Sequence, residues 1–216
     1  MAVLLLKPEI MSRSKSSQQW LKEHHDDEFV LKARRDGYRS RAVYKLIEIQ
    51  QKDRVIKPGQ FVLDLGAAPG GWSEYVAQFA SDKGRLIAVD LLAIEPIAGV
   101  EIVQGDFTEQ ATLDKILDLV DKKPIDLVLS DMAPNISGVD TVDQPKSMYL
   151  AELAFELARD CLKPKGQFVV KLFQGEGFDA FSSSLKMSFN SVKFRKPKAS
   201  RARSREIYAV CCGLKR

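Results

Sequence analysis

The sequence predicts an α/β fold of Rossmann-like type: a mostly parallel, seven-stranded sheet with helices on both faces and a helical extension at the amino end. Three observations carry that prediction. From about residue 60 onward, short apolar runs alternate with stretches of helical spacing, the signature of βαβ units. The first of these runs ends in a glycine-rich turn, "LDLGAAPGGW". At 216 residues, 45% hydrophobic and 29% charged, the chain has room for one α/β domain with a full core and too little for two.

Residues 1–15 carry no clear period and are read as a mobile terminus or an artefact of start-site choice. The rest, 16–216, is read as one domain. Its helical extension, residues 16–54, contains "SSQQWLKEHHDDEFVLKARRDGYRSRAVYKLIEIQQK", which reads as two amphipathic helices, the second capped by Ser40. The sheet core occupies 55–216. "QFVLDLG" (60–66) is its first strand, and "GWSEYVAQFA" has the helical spacing of Trp72, Tyr75, Val76 and Phe79. "GRLIAVDLL" (84–92) and "VEIVQGD" (100–106) are the next strands, followed by the helix "EQATLDKILDLVDKK" and the strand "IDLVLSDM" (125–132). "PKSMYLAELAFELARDCL" is the most periodic helix, closed by the breaker "KPKG". The strand "QFVVKLF" follows, and two more around "SVKFRK" and "REIYAVCCGL" complete the sheet; no internal repeat is present.

Composition excludes several classes. The three cysteines, Cys161, Cys211 and Cys212, are odd in number and two are adjacent, so no disulfide framework is expected. "MAVLLLK" lacks the basic region and cleavage pattern of a signal peptide, and no segment approaches the roughly 20 apolar residues of a membrane span. A reducing, cytoplasmic compartment is expected, with no membrane association. No metal site is expected either: His24 and His25 are adjacent on a helix and point apart, and the cysteines lack C-x-x-C spacing. No exposed apolar stripe calls for an obligate dimer, so a monomer is expected.

In an open parallel sheet, ligands bind outside the carboxyl ends of the strands, and the first strand-to-helix turn is the favoured place. The turn here lacks G-x-G-x-x-G spacing, and Pro69 removes a backbone donor from a loop that would have to cradle a pyrophosphate, so a dinucleotide is disfavoured. Gly66, Gly70 and Gly71 still permit close backbone approach, and Asp90 ends the second strand where a carboxylate can accept from ribose hydroxyls. Asp106 ends the third strand and can accept from an exocyclic amine. Together they suggest S-adenosylmethionine. Any one of these acids could be a mere strand-end cap; three consecutive strand ends weaken that reading. Trp72 could cover the cofactor, although an aromatic spaced with Val76 and Phe79 is more often core.

"LSDMAPN" puts Asp131 at the end of the fourth strand, and "VVKLFQGEG" sets Lys171 inside the apolar run of the fifth. An ammonium there is costly unless paired, and Asp131 can share its crevice. Glu206 precedes the apolar run of the final strand, and Lys45 lies on the second amino-terminal helix. The bland alternative for Lys171 is a buried ion pair that only rigidifies the core, but that does not explain its placement at a predicted cofactor mouth.

Seven segments, "SRAVYKLIEI", "DLGAAPGGW", "AVDLL", "GDF", "SDMAPN", "FVVKLFQGEGF" and "RKPKASRARSREIY", resemble the FtsJ/RrmJ family of ribosomal RNA 2'-O-ribose methyltransferases. The resemblance spans about residue 16 to the carboxyl end; only the start "MAVLLLKPEI" has no counterpart. It implies a methyltransferase fold, S-adenosylmethionine as cofactor, and a uridine of 23S rRNA, free or within the 50S subunit, as substrate. It also implies a catalytic Lys-Asp-Lys-Glu tetrad at Lys45, Asp131, Lys171 and Glu206, and cofactor contacts at Gly70, Trp72, Asp90, Asp106 and Asp131.

Under that reading Lys171 either removes the 2'-hydroxyl proton or, as an ammonium, orients the hydroxyl and stabilises the developing oxyanion. Residues 193–205 contain Lys193, Arg195, Lys196, Lys198, Arg201, Arg203 and Arg205 without an acid, and "KARRDGYRSR" forms a second basic cluster before Lys45. Either alone is most simply a solvated face; two bracketing one site favour RNA phosphates and salt-sensitive binding. No aromatic platform accompanies them, so backbone and shape recognition is expected. A non-catalytic RNA-binding protein would keep the basic clusters without needing Asp90, Asp106 or the tetrad. A dinucleotide oxidoreductase is a third class, disfavoured by the glycine spacing and Pro69. Within the methyltransferase reading, tRNA or an mRNA cap is the rival substrate.

Overall fold

The structure, a computed structural model, describes residues 27–79 and 84–215. The expected mobile terminus, the start of the first predicted helix, and His24 and His25 lie outside those residues. Asp27 opens helix α1 (Glu28–Asp36) by accepting from Phe29 N at 3.0 Å and Val30 N at 3.3 Å, which satisfies two amides that the helix itself leaves without partners. Helix α2 spans Val43–Asp53, with Ala42 at its cap position and no side-chain cap bond. Ser40 is therefore not the cap expected from sequence. It lies in the preceding turn, where its carbonyl accepts from Val43 N at 3.4 Å.

The core continues as β1 (Phe61–Leu65), α3 (Gly71–Ala77), β2 (Arg85–Asp90), β3 (Glu101–Gln104), α4 (Gln110–Val120), β4 (Ile125–Ser130), α5 (Asp140–Cys161), β5 (Leu162–Phe173), α6 (Phe178–Ser188), β6 (Phe189–Arg195) and β7 (Glu206–Leu214). The seven strands form one sheet in the order β3-β2-β1-β4-β5-β7-β6. Pairing is parallel from β3 to β5, and β7 runs antiparallel to both β5 and β6. The order reverses between β1 and β4, which opens a crevice at the carboxyl ends of those strands.

The alternation of side chains along each strand divides the core between two faces. Leu63, Val128, Phe168, Val170 and Ala209 pack with Ile116 of α4, Phe155 of α5 and Leu185 of α6. Val62, Leu127, Leu129, Val169 and Tyr208 pack with Leu46 and Ile49 of α2 and with Trp72 and Val76 of α3. The amino-terminal extension is thus part of one wall of the sheet.

Three elements depart from the sequence reading. Strand β5 starts at Leu162 and takes in the predicted breaker "KPKG", where its register with β4 shifts and Lys165 has φ 67. Helix α5 starts at Asp140, ahead of the predicted start at Pro145. The periodic stretch begins at Pro145, but the helix extends about one turn earlier, where the Asp143 carboxylate binds the incoming loop, accepting from Ser137 N at 2.9 Å, Ser137 Oγ at 2.8 Å and Gly138 N at 2.9 Å. Helix α6 was not predicted at all. Its serines obscure the period, and their hydroxyls turn back onto the helix, Ser183 Oγ to Asp179 O at 2.9 Å and Ser184 Oγ to Ala180 O at 3.3 Å. Cys161, Cys211 and Cys212 are free thiols. Among the described residues no helix is long and apolar enough to cross a membrane.

Candidate active site

Lys171 and Tyr208 face each other directly across the β5–β7 ladder, on the side of the sheet covered by α2 and α3. Asp131 follows the end of β4, next to them. The Lys171 side chain is 7% exposed; its Nζ donates to the Asp131 carbonyl and lies 3.1 Å from Asp131 Oδ1. Tyr208 Oη donates to the same Oδ1 at 2.5 Å and accepts from Lys45 Nζ at 3.1 Å. Lys45, carried by α2, is in turn 2.8 Å from Glu206 Oε1, which also accepts from Ser200 Oγ at 2.8 Å. The fold therefore brings all four predicted residues into one continuous string: Lys171, Asp131, Tyr208, Lys45, Glu206. Sequence reasoning missed Tyr208. The available signal was its spacing, two residues after Glu206 on a strand and hence on the same face.

The electrostatics of the string follow from its pairing. Burial works against the Asp131 carboxylate more strongly than any other single influence. The charges of Lys171 and Lys45, with hydrogen bonds from Tyr208 and Lys171, outweigh it together and hold the group below its ordinary 3.8. Asp131 is thus a buried carboxylate kept ionised by two amines. Burial, reinforced by Asp131 and Glu206, pushes the Tyr208 phenol well above its ordinary 10, so the phenol remains a donor.

Beside the string, at the carboxyl ends of β1 to β4, lies a pocket of about 490 Å³ lined by Gly66, Asp90, Asp106, Asp131, Met132 and Leu150, among others. Its volume falls within the range of roughly 300–1,000 Å³ usual for small-molecule sites. Asp90 is fixed by Ala68 N on Oδ2 and Leu92 N on Oδ1, each at 2.8 Å. Asp106 is fixed by Thr108 N at 2.8 Å and Thr108 Oγ1 at 2.7 Å, and these bonds keep its carboxyl below the ordinary value. Gly70 has φ 106, and a Cβ there would come within 2.9 Å of Ile97, so close packing of the turn requires glycine.

Gly70 and Trp72 are not among the residues lining this pocket. Trp72 is 3% exposed, donates its indole N–H to Ala42 O at 2.8 Å and packs 5.8 Å from the Tyr208 ring. Its side chain is a core element that steadies α2 against the buried string and is not part of the pocket lining.

Sequence reasoning also passed over Asp64, an acid inside the apolar run of β1 and the same kind of signal that marked Lys171. It is fully buried, accepts from Ser73 Oγ at 2.6 Å, and its Oδ1 has no partner. Burial first, opposed by the Ser73 bond and then aided by Asp131 and Asp90, pushes its carboxyl from 3.8 to about 7. The native state therefore holds a proton that the unfolded chain releases between those values. Asp64 contributes most stability below pH 3.8 and loses that contribution as pH rises through about 7. Urea unfolding is expected to show stability falling across that window by about 4 kcal/mol from this group. Asp64→Asn flattens the slope; an unchanged slope assigns it elsewhere. Asp131 acts in the opposite sense, below its ordinary 3.8 and outside that window.

The other end of the string opens into a cleft of about 780 Å³, whose lining includes Arg41, Lys45, Arg201, Arg203, Arg205 and Glu206. The basic run 193–205 does not act as one patch. Lys193 and Arg195 clamp Asp53 at the end of α2, at 3.4 and 2.7 Å, and the Lys198 amide binds Glu48 at 2.7 Å. Only the later half, Arg201 to Arg205, reaches the cleft. In the other cluster Arg41 lines the cleft, whereas Lys32 sits over the Tyr44 ring and Arg39 turns towards the glycine turn. Asp53 and Glu48, distant in sequence, engage the first half of the run, and a ring and backbone carbonyls engage Lys32 and Arg39.

The FtsJ-like methyltransferase family model matches residues 38–214. The chain is 57% identical over 205 residues to ribosomal RNA large subunit methyltransferase E of Marinobacter nauticus, covering 95% of this chain and 99% of that protein. It is 55% identical to the protein of the same name in Pseudomonas aeruginosa, with the same coverage. A solved structure from Plasmodium falciparum, described as a ribosomal RNA methyltransferase, superposes with a TM-score of 0.73 at 29% identity, covering 82% of this chain and 98% of that one. The matched span contains the nucleoside-sized pocket, the whole string of amines and carboxylates and the basic cleft. Sequence, fold and site thus converge, and the chain belongs to the FtsJ-like methyltransferase family.

Proposed function

We propose that the chain transfers a methyl group from S-adenosylmethionine to the 2'-hydroxyl of a ribose in RNA, the substrate being a uridine of 23S rRNA. The observation that carries this reading is the wall between the two cavities. A buried string of two amines, two carboxylates and a phenol has Asp131 on the pocket side and Lys45 and Glu206 on the cleft side. The pocket fits the cofactor. Each oxygen of Asp90 accepts one backbone amide and keeps a lone pair for a ribose hydroxyl, while Met132 and Leu150 supply apolar surface for a purine. When bound, S-adenosylmethionine supplies a methyl group that its sulfonium already makes electrophilic.

The chain's own residues supply the nucleophile. Lys171 Nζ is held by two oxygens of Asp131, and its remaining position is assigned to the ribose 2'-oxygen. Lys171 first releases its ammonium proton to solvent; as a neutral amine it then takes the hydroxyl proton while the 2'-oxygen bonds to the methyl carbon and the thioether leaves, and the ionised Asp131 stabilises the ammonium so re-formed. Lys45, anchored by Glu206 and Tyr208, keeps Asp131 ionised and fixes the cleft side of the site. The arginines of the cleft, Arg41, Arg201, Arg203 and Arg205, take the RNA phosphates and make binding salt-dependent. Such a substrate places the enzyme in the cytoplasm, with free rRNA or the 50S subunit.

Mapping of ribose methylation in a strain lacking the gene is expected to show one 2'-O-methyl group missing from 23S rRNA. A wild-type copy restores it and a Lys171→Ala copy does not. A complete 23S methylation pattern in that strain rules the substrate out. Calorimetric titration is expected to detect S-adenosylmethionine and not NAD; the reverse result rules out the cofactor.

A further inference from the structure

The stretch from Arg39 to Lys45 touches three parts of the molecule. Lys45 joins the catalytic string, and Arg41 and Ala42 line the cleft. Arg39 turns the other way. Its Nη1 donates to Glu95 O at 2.7 Å and to Pro69 O at 3.4 Å, its Nη2 donates to Pro96 O at 2.9 Å, and its Nε lies 3.6 Å from Glu74 Oε1. Pro69 belongs to the turn between β1 and α3. Glu95 and Pro96 belong to the segment after β2, which has no helix or strand before β3. These two segments wall the nucleoside pocket: Ala68, Asp90, Leu91 and Leu92 all line it, and Ala68 N holds the Asp90 carboxylate. The guanidinium therefore ties the glycine turn to the loop that follows Asp90, from a residue outside both.

We propose that Arg39 is a positioning residue for the cofactor, setting the spacing of those two walls. The inference rests on the reading that S-adenosylmethionine fills this pocket. Charge-assisted donors on a rigid fork can bridge carbonyls of two separate segments; the single ammonium of a lysine cannot span them in the same way. Arg39 touches neither the catalytic string nor any residue assigned to phosphate contact, so its loss acts on cofactor affinity and leaves the chemical step alone.

The test is calorimetric titration of the full chain with S-adenosylmethionine, for the parent, Arg39→Ala, Arg39→Lys and, as a pocket control, Asp90→Ala. Both Arg39 variants are expected to weaken cofactor binding about 10- to 100-fold. KM for the cofactor rises in parallel, while kcat at saturating cofactor and RNA affinity stay within about twofold. Cofactor affinity within about twofold of the parent overturns the proposal, as does a loss confined to RNA affinity. Should Arg39→Ala fail to fold, the lysine variant decides by the same criterion. A parent that does not bind S-adenosylmethionine removes the underlying reading. A parent and an Asp90 control that behave as expected, beside unaffected Arg39 variants, remove only the role of Arg39.

Discussion

Replacing Lys171 by alanine is expected to lower kcat by about 10²–10⁴-fold, the range spanned by a positioned acid–base group, while leaving the affinity for S-adenosylmethionine close to that of the parent. The separation of the two effects follows from position. Lys171 lies on β5 behind Asp131 and is not among the residues lining the nucleoside pocket, whereas Asp90 and Asp106 are. Removing the amine leaves the pocket's acids and their backbone partners in place and takes away the group assigned to the hydroxyl proton. Single-turnover methylation of rRNA, read beside calorimetric cofactor binding, checks both halves. A turnover rate near that of the parent removes Lys171 from the mechanism, and a matching loss of cofactor affinity makes it a binding residue.

Breaking the Lys171–Asp131 pair from the other side is expected to cost stability as well as activity. Asp131→Ala leaves a 7% exposed ammonium with only a backbone carbonyl for a partner, and removing one member of a buried pair costs about 3–5 kcal/mol. The double variant Lys171→Met, Asp131→Asn carries no uncompensated charge, and the amide oxygen it introduces on β4's end can still accept from Tyr208. Its stability is expected to match or exceed that of the parent by about 1–4 kcal/mol, with methyl transfer absent. Urea denaturation of the parent, Lys171→Met, Asp131→Asn and the double variant closes the cycle, with Asp131→Ala measured beside it. A double variant as unstable as Asp131→Ala would mean that the pair is retained for the fold and not for chemistry.

The sequence was informative where the chemistry coincided with a local pattern. Strands β1, β2 and β4 were legible as apolar runs, the breaker "KPKG" set the start of the fifth strand too late, and Asp90, Asp106 and Asp131 were legible because each sits where such a run stops. Lys171 was legible because a charge inside an apolar run has to be compensated. Convergence of Lys45 and Glu206 on that lysine was not legible from periodicity. It depends on β7 pairing with β5 in the register that sets Tyr208 opposite Lys171, and on α2 packing over that face. The basic clusters misled for the same reason: Asp53 is 140 residues or more from Lys193 and Arg195, so no local pattern shows that those two charges are already engaged. Helix α6 escaped because its serines bond back to the helix and interrupt the amphipathic count.

Among the described residues strand β7 comes last in chain order, yet it pairs between two strands that precede it, β5 and β6, and there β6 pairs with β7 alone. During translation the sheet must therefore stand open beside β5 until β7 leaves the ribosome, and Glu206 and Tyr208 arrive only with that closure. A chain cut before residue 206 is expected to keep Asp90 and Asp106 at the ends of their strands while lacking Glu206 and Tyr208, two members of the string to which the chemistry is assigned.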